Sequence, residues 1–444
     1  MRKTKFNHPG RVIPLAFLAV IALGTAVLML PAARAAPGHA PFIVALFTAT
    51  SAVCVTGLAA TDTATYWTPF GQATILVLVQ IGGLGIMTGG TLLGLLVSRR
   101  LGLSTRLIAQ AETRSLRLGD ITTVLRLILI VTAVVELATM AALTTRFRYS
   151  YDHSWTEALW HGLSHAIFAF NHAGFSTYSD NLMRFVRDPF ILAPIMLTVV
   201  IGSLGFPVIH ELAFGARRPS RWSVHTKMTL FGSALLLVIG FVAVAAYEWD
   251  NLATIGTLAW PEKLLNAAFH SVMTRSAGFN SVDIGQMERP TLAVSDALML
   301  IGGGSAGTAG GIKITTFLIL GFVVWAQIRG EVDTTAFRRR INQQAQREAL
   351  SVVLLAVGVV AIGVLIMLSL TDFTFEAVLF EVISAFATTG LSTGITPQLP
   401  PSALALLSGL MFLGRVGTIT VASVLALKER SATFRYPEER PIVG

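Results

Sequence analysis

The chain alternates between apolar runs and polar connections, and the apolar runs come in two lengths. The longer ones reach about twenty residues, enough at about 1.5 Å of helical rise per residue to cross a hydrocarbon core of about 30 Å. The shorter ones cannot span, and each stops at a small-residue segment built around one glycine. Four such segments read SAVCVTGLAATD (51–62), IFAFNHAGFSTYSD (167–180), SVMTRSAGFNSVD (271–283) and ISAFATTGLSTGIT (383–396). Aligned on Gly57, Gly174, Gly278 and Gly390, they stand 117, 104 and 112 residues apart. A second small-residue cluster has its first glycine 24 to 28 residues after each one, inside an apolar run: GGLG from Gly82, GSLG from Gly202, GGGSAG from Gly302 and LGRVG, which starts at Leu413, with Gly414.

This self-similarity predicts one unit used four times: helix, half-helix, glycine loop, helix. The expected fold is an all-α integral membrane protein of four membrane–pore-loop–membrane repeats with pseudo-fourfold symmetry. It would have eight transmembrane helices and four re-entrant half-helices. The repeats are expected over 12–104, 121–214, 226–327 and 349–427, between a cytoplasmic N-terminus (1–11) and a cytoplasmic tail (428–444). Non-helical backbone at membrane depth is admissible only where protein buries it or it lines a water-filled cavity. Taken singly, each loop also reads as a small-residue helix contact. Four in register on one side describe a pore mouth instead.

Composition agrees with the pattern: 53% of residues are hydrophobic and 13% charged, with mean hydropathy +0.69, where a soluble domain carries roughly a quarter charged residues. The run from Val12 to Leu30 follows a basic start and precedes PAARAAPGHA, so a signal peptide competes there. The run is too long for that, and further membrane segments follow. The single cysteine, Cys54, excludes an intrachain disulfide and a thiolate zinc site. Taking alternate connections from the N-terminus, 23 of the 33 Lys and Arg fall in 1–11, 99–126, 215–228, 327–349 and 428–444, with eight acids. The other connections hold seven basic residues and fourteen acids. The positive-inside rule places the first set, and both termini, in the cytoplasm. The formal charge of +9 is therefore an orientation signal and not a nucleic-acid one, and the acidic outer face would concentrate cations.

The loops have the chemistry of a cation filter. A half-helix ending at each glycine points its partial negative charge toward the axis, and carbonyls before the glycine replace an ion's hydration shell. Glycine lets four backbones approach closely. The residues concerned are Val55, Thr56 and Gly57; His172, Ala173 and Gly174; Ser276, Ala277 and Gly278; and Thr388, Thr389 and Gly390. They share no carboxylate. Backbone oxygen without a ring of Asp or Glu suits a weakly hydrated monovalent cation better than Ca²⁺ or Mg²⁺.

The segments VTGL, NHAGFS, RSAGFN and TTGLS resemble the Trk/Ktr/HKT superfamily of potassium transporters over essentially the whole chain. The resemblance implies four repeats around one permeation path and a filter that binds K⁺, with Na⁺ coupled or required in some members. With eleven polar residues before the first run, the chain looks like a Ktr-type membrane subunit. Such subunits work as homodimers in the lipid membrane on a cytoplasmic ring of nucleotide-binding regulatory proteins. His172 departs from the amide common in relatives; its carbonyl still lines the filter, and its imidazole would add pH sensitivity.

Between Ile301 and Thr316 the chain reads IGGGSAGTAGGIKITT. A phosphate-loop reading fails, because Ile312 separates Gly311 from Lys313 and no strand precedes the stretch. Glycines at 302, 303, 304, 307, 310 and 311 instead undo a helix, at about 1 kcal/mol each against alanine. The resemblance implies a mobile intramembrane gate here, made by Gly302, Gly303, Gly304, Gly307, Gly310 and Gly311. Lys313 would face the path or an acidic partner, and Arg415 would obstruct the path or pair with another helix. Arg275 is expected to brace its half-helix or pair with Asp283. Glu136 has two open readings, a basic partner or a vestibule wall. The basic segment 338–350, with Arg217 and Arg218, reads as a collar that would also fit an acidic partner.

The leading function is gated potassium uptake across the cell membrane by a non-enzyme with no cofactor. A secondary carrier for another small cation or solute is the alternative. It would show paired inverted repeats, whereas these four run parallel. A membrane enzyme ranks last, since no carboxylate pair, His cluster or activated nucleophile occurs at helical spacing in the apolar runs.

Overall fold

The structure, a computed structural model, describes residues 9–100, 121–215 and 219–417. The N-terminus up to residue 8, most of the basic connection 99–126, the Arg217–Arg218 pair and the tail 428–444 lie outside the described residues.

The order of long and short elements follows the predicted unit. Helix α1 (Pro9–Leu28) leads to the short α2 (Phe42–Val53) and then to α3 (Pro69–Arg100). Helix α4 (Ile121–Ser150) leads to α5 (Trp155–Asn171) and then to the pair α6 (Pro189–Leu204) and α7 (Phe206–Gly215). The third unit is α8 (Val224–Tyr247), α9 (Trp260–Met273), α10 (Arg289–Leu300) and α11 (Ile314–Ile328). A small hairpin, β1 (Thr335–Ala336) with β2 (Arg339–Arg340), precedes the fourth. That unit is α12 (Gln343–Leu370), α13 (Phe375–Phe386) and α14 (Pro401–Phe412), which runs on as a π-helix over Leu413–Gly417.

Among the described residues three helices are long and apolar enough to cross a bilayer unaided, Leu125–Ser150, Val224–Tyr247 and Gln343–Leu370, all of them first helices of their units. The second helices of units two and three differ from the straight spans expected of them: α6 and α7 meet at 101°, and α10 and α11 are parted by 301–313. Their small-residue clusters are the physical reason. A methyl added at Gly82 would lie 2.1 Å from the Val53 carbonyl oxygen, at Gly202 2.5 Å from that of Phe170, and at Gly414 1.6 Å from that of Phe386. The second helix of units one, two and four therefore crosses the end of its own short helix backbone to backbone. In the third unit Arg275 reaches across to the Gly302 carbonyl instead.

Polar caps fix where the elements start. Ser154 and Glu157 form a reciprocal capping box on α5, and bonds from Ser154 hold the exposed Glu157 carboxyl below its usual range. Asp188 caps α6 by accepting from Phe190 N at 2.9 Å, and it also accepts from Arg146 Nε and Tyr151 OH, both at 2.8 Å. Burial and this acceptor push the Tyr151 hydroxyl up to about 12. Asp188→Ala is expected to destabilise the protein by about 2–3 kcal/mol, read as a lowered unfolding midpoint in detergent, because it removes a cap and strands two donors.

Candidate functional site

The four short helices end in the four predicted glycine segments, and these meet. Gly57, Gly174, Gly278 and Gly390 all have positive φ, at 94°, 62°, 76° and 90°. A methyl at Gly57 would lie 2.1 Å from the Ala173 carbonyl oxygen, and one at Gly174 2.8 Å from Gly278 Cα. One at Gly278 would lie 2.5 Å from the Thr389 oxygen, and one at Gly390 2.0 Å from the Thr56 oxygen. The segments thus close a ring in chain order, first to second to third to fourth to first. At each junction the space a side chain would need is filled by a neighbour's backbone.

The first residue of each predicted triplet is also left-handed: Val55 at φ 56°, His172 at 65°, Ser276 at 67° and Thr388 at 49°. Outside glycine this costs of order 1–3 kcal/mol, most for β-branched Val55 and Thr388. Bonds back to the short helices hold these conformations. Thr56 N reaches Ser51 O at 2.7 Å, Ala173 N reaches Phe168 O at 2.8 Å, and Thr389 N reaches Ser384 O at 2.8 Å. Gly57 N and Gly390 N donate to the Ser51 and Ser384 hydroxyls, each at 3.0 Å. These five amides are therefore spoken for. Among the described residues no hydrogen bond ends on the carbonyls of Thr56, Ala277 or Thr389.

Not every predicted oxygen is free. The Ala173 carbonyl accepts from Phe175 N at 2.8 Å, and that of Thr388 accepts from the Ser276 hydroxyl at 2.8 Å. His172 sets its ring between two carbonyls, with Nδ1 3.0 Å from Ser276 O and Nε2 2.8 Å from Val199 O. The side chain thereby joins the second segment to the third and to α6.

The glycine-rich stretch lies against this ring. Gly310 N donates to the Ser276 hydroxyl at 2.8 Å, and a methyl at Gly310 would fall 2.6 Å from the Ala387 oxygen. At its ends Gly302 N reaches Ile312 O at 2.8 Å and Ile314 N reaches Gly303 O at 3.1 Å, so the stretch is a closed excursion between α10 and α11. Its middle docks on the α6–α7 bend: Gly304 N to Ser203 O at 2.7 Å, Thr308 N to Gly202 O at 3.3 Å, and Thr308 Oγ1 to Phe170 O at 3.1 Å. Gly205, at the bend, has φ 84°, and a methyl there would lie 2.3 Å from the Ser305 oxygen.

The predicted intramembrane charges find carbonyls and not acids. Arg415 is buried in the π-helix and donates through Nη1 to the Thr308 carbonyl, while its Nε and Nη2 are buried without a partner among the described residues. Lys313 turns its ammonium onto Ala309 O at 2.5 Å, within its own stretch, and meets no acidic partner there. Arg275 does not pair with Asp283, which caps Gly285 N at 2.9 Å. It bonds Ser233 O at 3.2 Å and Gly302 O at 3.0 Å, tying α8 to the start of the glycine-rich stretch. Glu136 meets no basic partner among the described residues and accepts instead from the amides of Gln80 at 3.3 Å and Asn171 at 3.1 Å.

The α6–α7 bend and the Ser276 hydroxyl were not singled out from sequence. The bend had a signal, since Gly205 followed by Pro207 is a stop-and-restart pattern. Ser276 had none, as its partners come from residues 34 and 112 positions away.

Comparison with known proteins places the chain in a family. The family model described as TrkH, cation transport protein, matches residues 3–436. The chain is 37% identical over 436 residues to Ktr system potassium uptake protein B of Bacillus subtilis, covering 98% of this chain and 97% of that one. It is 35% identical over 451 residues to the potassium/sodium uptake protein NtpJ of Enterococcus hirae, covering 100% and 99%. The crystal structure of the potassium transporter TrkH from Vibrio parahaemolyticus superposes with a TM-score of 0.73 at 16% identity, over 95% of this chain and 85% of that one, a likeness of fold. These relatives are ion transporters and not enzymes, and the chain, a multi-pass membrane protein, belongs to the TrkH family of cation transport proteins.

Proposed function

We propose that this chain carries K⁺ into the cell across the plasma membrane through the ring formed by Val55–Gly57, His172–Gly174, Ser276–Gly278 and Thr388–Gly390. The ring's closure in chain order is the observation that carries the reading. Carbonyls turned toward a common centre replace water around a weakly hydrated ion. Four parallel units, each with two membrane helices around a re-entrant half-helix and loop, would supply one quarter of the ring apiece. Both termini and the basic connections face the cytoplasm in this reading.

Gating belongs to the glycine-rich stretch and Arg415. The stretch lies between the ring and the Arg415 guanidinium, and its backbone interlocks with the α6–α7 bend. A nucleotide-binding regulatory ring on the cytoplasmic side, serving a homodimer of this chain, would act through α7. That helix is coupled to the start of α8 by Glu211, which accepts from Ser223 N and Oγ, each at 2.7 Å. A push on α7 would therefore reach the stretch through main-chain bonds.

The test is uptake. Expression in a cell lacking its own K⁺ uptake is expected to restore growth at low K⁺, and purified protein in liposomes to pass K⁺. No rescue and no flux, even with a regulatory partner supplied, would defeat the reading. The E. hirae relative carries both ions in its name, so K⁺ and Na⁺ are varied separately. A rise in K⁺ flux with Na⁺ identifies coupling or activation by Na⁺.

A further inference from the structure

The first residues of the second and third triplets each reach into the next segment. His172 places Nδ1 3.0 Å from the Ser276 carbonyl oxygen, and the Ser276 hydroxyl donates to the Thr388 carbonyl at 2.8 Å. Each of these side chains thus meets the carbonyl of the equivalent residue one segment on. The Ser276 hydroxyl oxygen also accepts, from Gly310 N of the glycine-rich stretch at 2.8 Å. A hydroxyl has one hydrogen and two lone pairs, so it makes both bonds at once. The Ala387 carbonyl, at 3.3 Å, is the longer alternative for the same hydrogen. A side chain at Gly310 would strike the Thr388 hydroxyl and the Ala387 carbonyl, so glycine is what lets the stretch come this close. Gly310, Ser276 and Thr388 are all buried.

One hydroxyl therefore stands between the glycine-rich stretch and a carbonyl of the ring. A hydroxyl that accepts a hydrogen bond donates more strongly, the more so away from water. A carbonyl that already accepts has one lone pair fewer to offer an ion. We infer that Ser276 is a positioning residue that couples the gate to the ring. Docking of Gly310 fixes the hydroxyl on the Thr388 carbonyl and weakens K⁺ binding, and release of the stretch frees that carbonyl for the ion. This rests on the ring being the ion path and the stretch being its gate. Such coupling is reciprocal: if release tightens K⁺ binding, K⁺ favours release by the same factor.

Two measurements on the purified full chain in detergent test the coupling. In calorimetric K⁺ titrations, Ser276→Ala is expected to lower the K⁺ dissociation constant about threefold, the order of one neutral hydrogen bond. Ser276→Thr keeps the hydroxyl and is expected to stay near wild type, since Val55 and Thr388 are β-branched residues with the same left-handed backbone. Release of the stretch is read from Ser305→Cys, at a half-buried position of the stretch, by its rate of modification with a methanethiosulfonate reagent. The native Cys54 is 0% exposed and supplies little background. Replacing choline with K⁺ at constant ionic strength is expected to speed the modification about threefold. Adding Ser276→Ala is expected to abolish that acceleration. The K⁺ dependence of Ser305→Cys needs no change at Ser276, so it decides the matter even if Ser276→Ala fails to assemble. Unchanged or weaker K⁺ binding in Ser276→Ala overturns the inference, and so does Ser305→Cys modification that ignores K⁺. The underlying readings fail differently. If Gly278→Ser leaves K⁺/Na⁺ discrimination intact, the ring falls, and if Arg415→Ala loses flux, the gate falls. If both behave as expected while Ser305→Cys modification ignores K⁺, only the coupling through Ser276 falls.

Discussion

Gly278→Ser is expected to lower the K⁺/Na⁺ flux ratio about tenfold while the protein still folds. Two costs fall on that position. At φ 76° any side chain pays the left-handed penalty of about 1–2 kcal/mol. The new Cβ also lies 2.5 Å from the Thr389 carbonyl oxygen and 3.0 Å from Gly174 Cα, so two neighbouring segments must give way. A carbonyl displaced by a few tenths of an ångström no longer matches one ion size over another, and about 1.4 kcal/mol of lost discrimination is a factor of ten. Gly394→Ser is the control. That glycine has a similar φ of 92° but nothing within 4 Å of its missing side chain. It is expected to cost stability without changing selectivity. Separate K⁺ and Na⁺ fluxes in liposomes give the answer, and equal ratios in wild type and Gly278→Ser would remove the ring from the transport path.

Arg415→Ala is expected to raise K⁺ flux in the absence of any regulatory partner by roughly thirtyfold. A fixed positive charge about 8 Å from a passing cation, at an effective dielectric of about 20, opposes it by about 2 kcal/mol. Arg415 is 2% exposed, makes its bond to the Thr308 carbonyl, and leaves Nε and Nη2 buried without partners among the described residues. A guanidinium placed for stability alone would be expected to have those groups satisfied. The substitution removes both the charge and the hold on the glycine-rich stretch, and both changes favour flow. Arg415→Lys keeps the charge and is expected to stay near wild type. If Arg415 is instead a structural brace, the alanine variant loses flux and unfolds at lower temperature. Deleting Gly302 to Gly311 is the blunter experiment, since it also removes the oxygen that holds Arg275 and the amide that meets Ser276.

The periodic part of the design was legible in the sequence, and the reason is geometric. Glycine is demanded wherever four backbones converge, and a repeated demand leaves a repeated letter, here at 57, 174, 278 and 390. The second clusters were legible for the same reason, because Gly82, Gly202 and Gly414 each face a carbonyl of their own short helix. Partner identity was not legible. Arg275 was expected to brace its half-helix or to pair with Asp283, eight residues away in the chain, and its partners are instead the Ser233 and Gly302 carbonyls of other elements. Lys313 likewise meets a carbonyl, that of Ala309. Near a ring that spends its amides on the scaffold, carbonyls outnumber acids as partners for buried cations, and sequence does not record where a carbonyl points. The departure at the second helices has a similar origin. GSLGFP was read as one more small-residue cluster, although its proline restarts a helix at a new angle.

The junction between the glycine-rich stretch and the α6–α7 bend is written almost wholly in main-chain atoms: Gly304 N on Ser203 O, Thr308 N on Gly202 O and Phe206 N on Ala306 O. Such a joint is indifferent to most side chains that its residues carry. Ser305 becomes a place where substitution is cheap, whereas Gly205 and Gly304, whose missing methyls would each sit 2.3 Å from a carbonyl across the joint, become places where it is not. A saturation screen for low-K⁺ growth would then draw the joint as a sparse pattern of intolerant glycines in a permissive background. Mutational sensitivity there would track the shape of the backbone and not the chemistry of the residues.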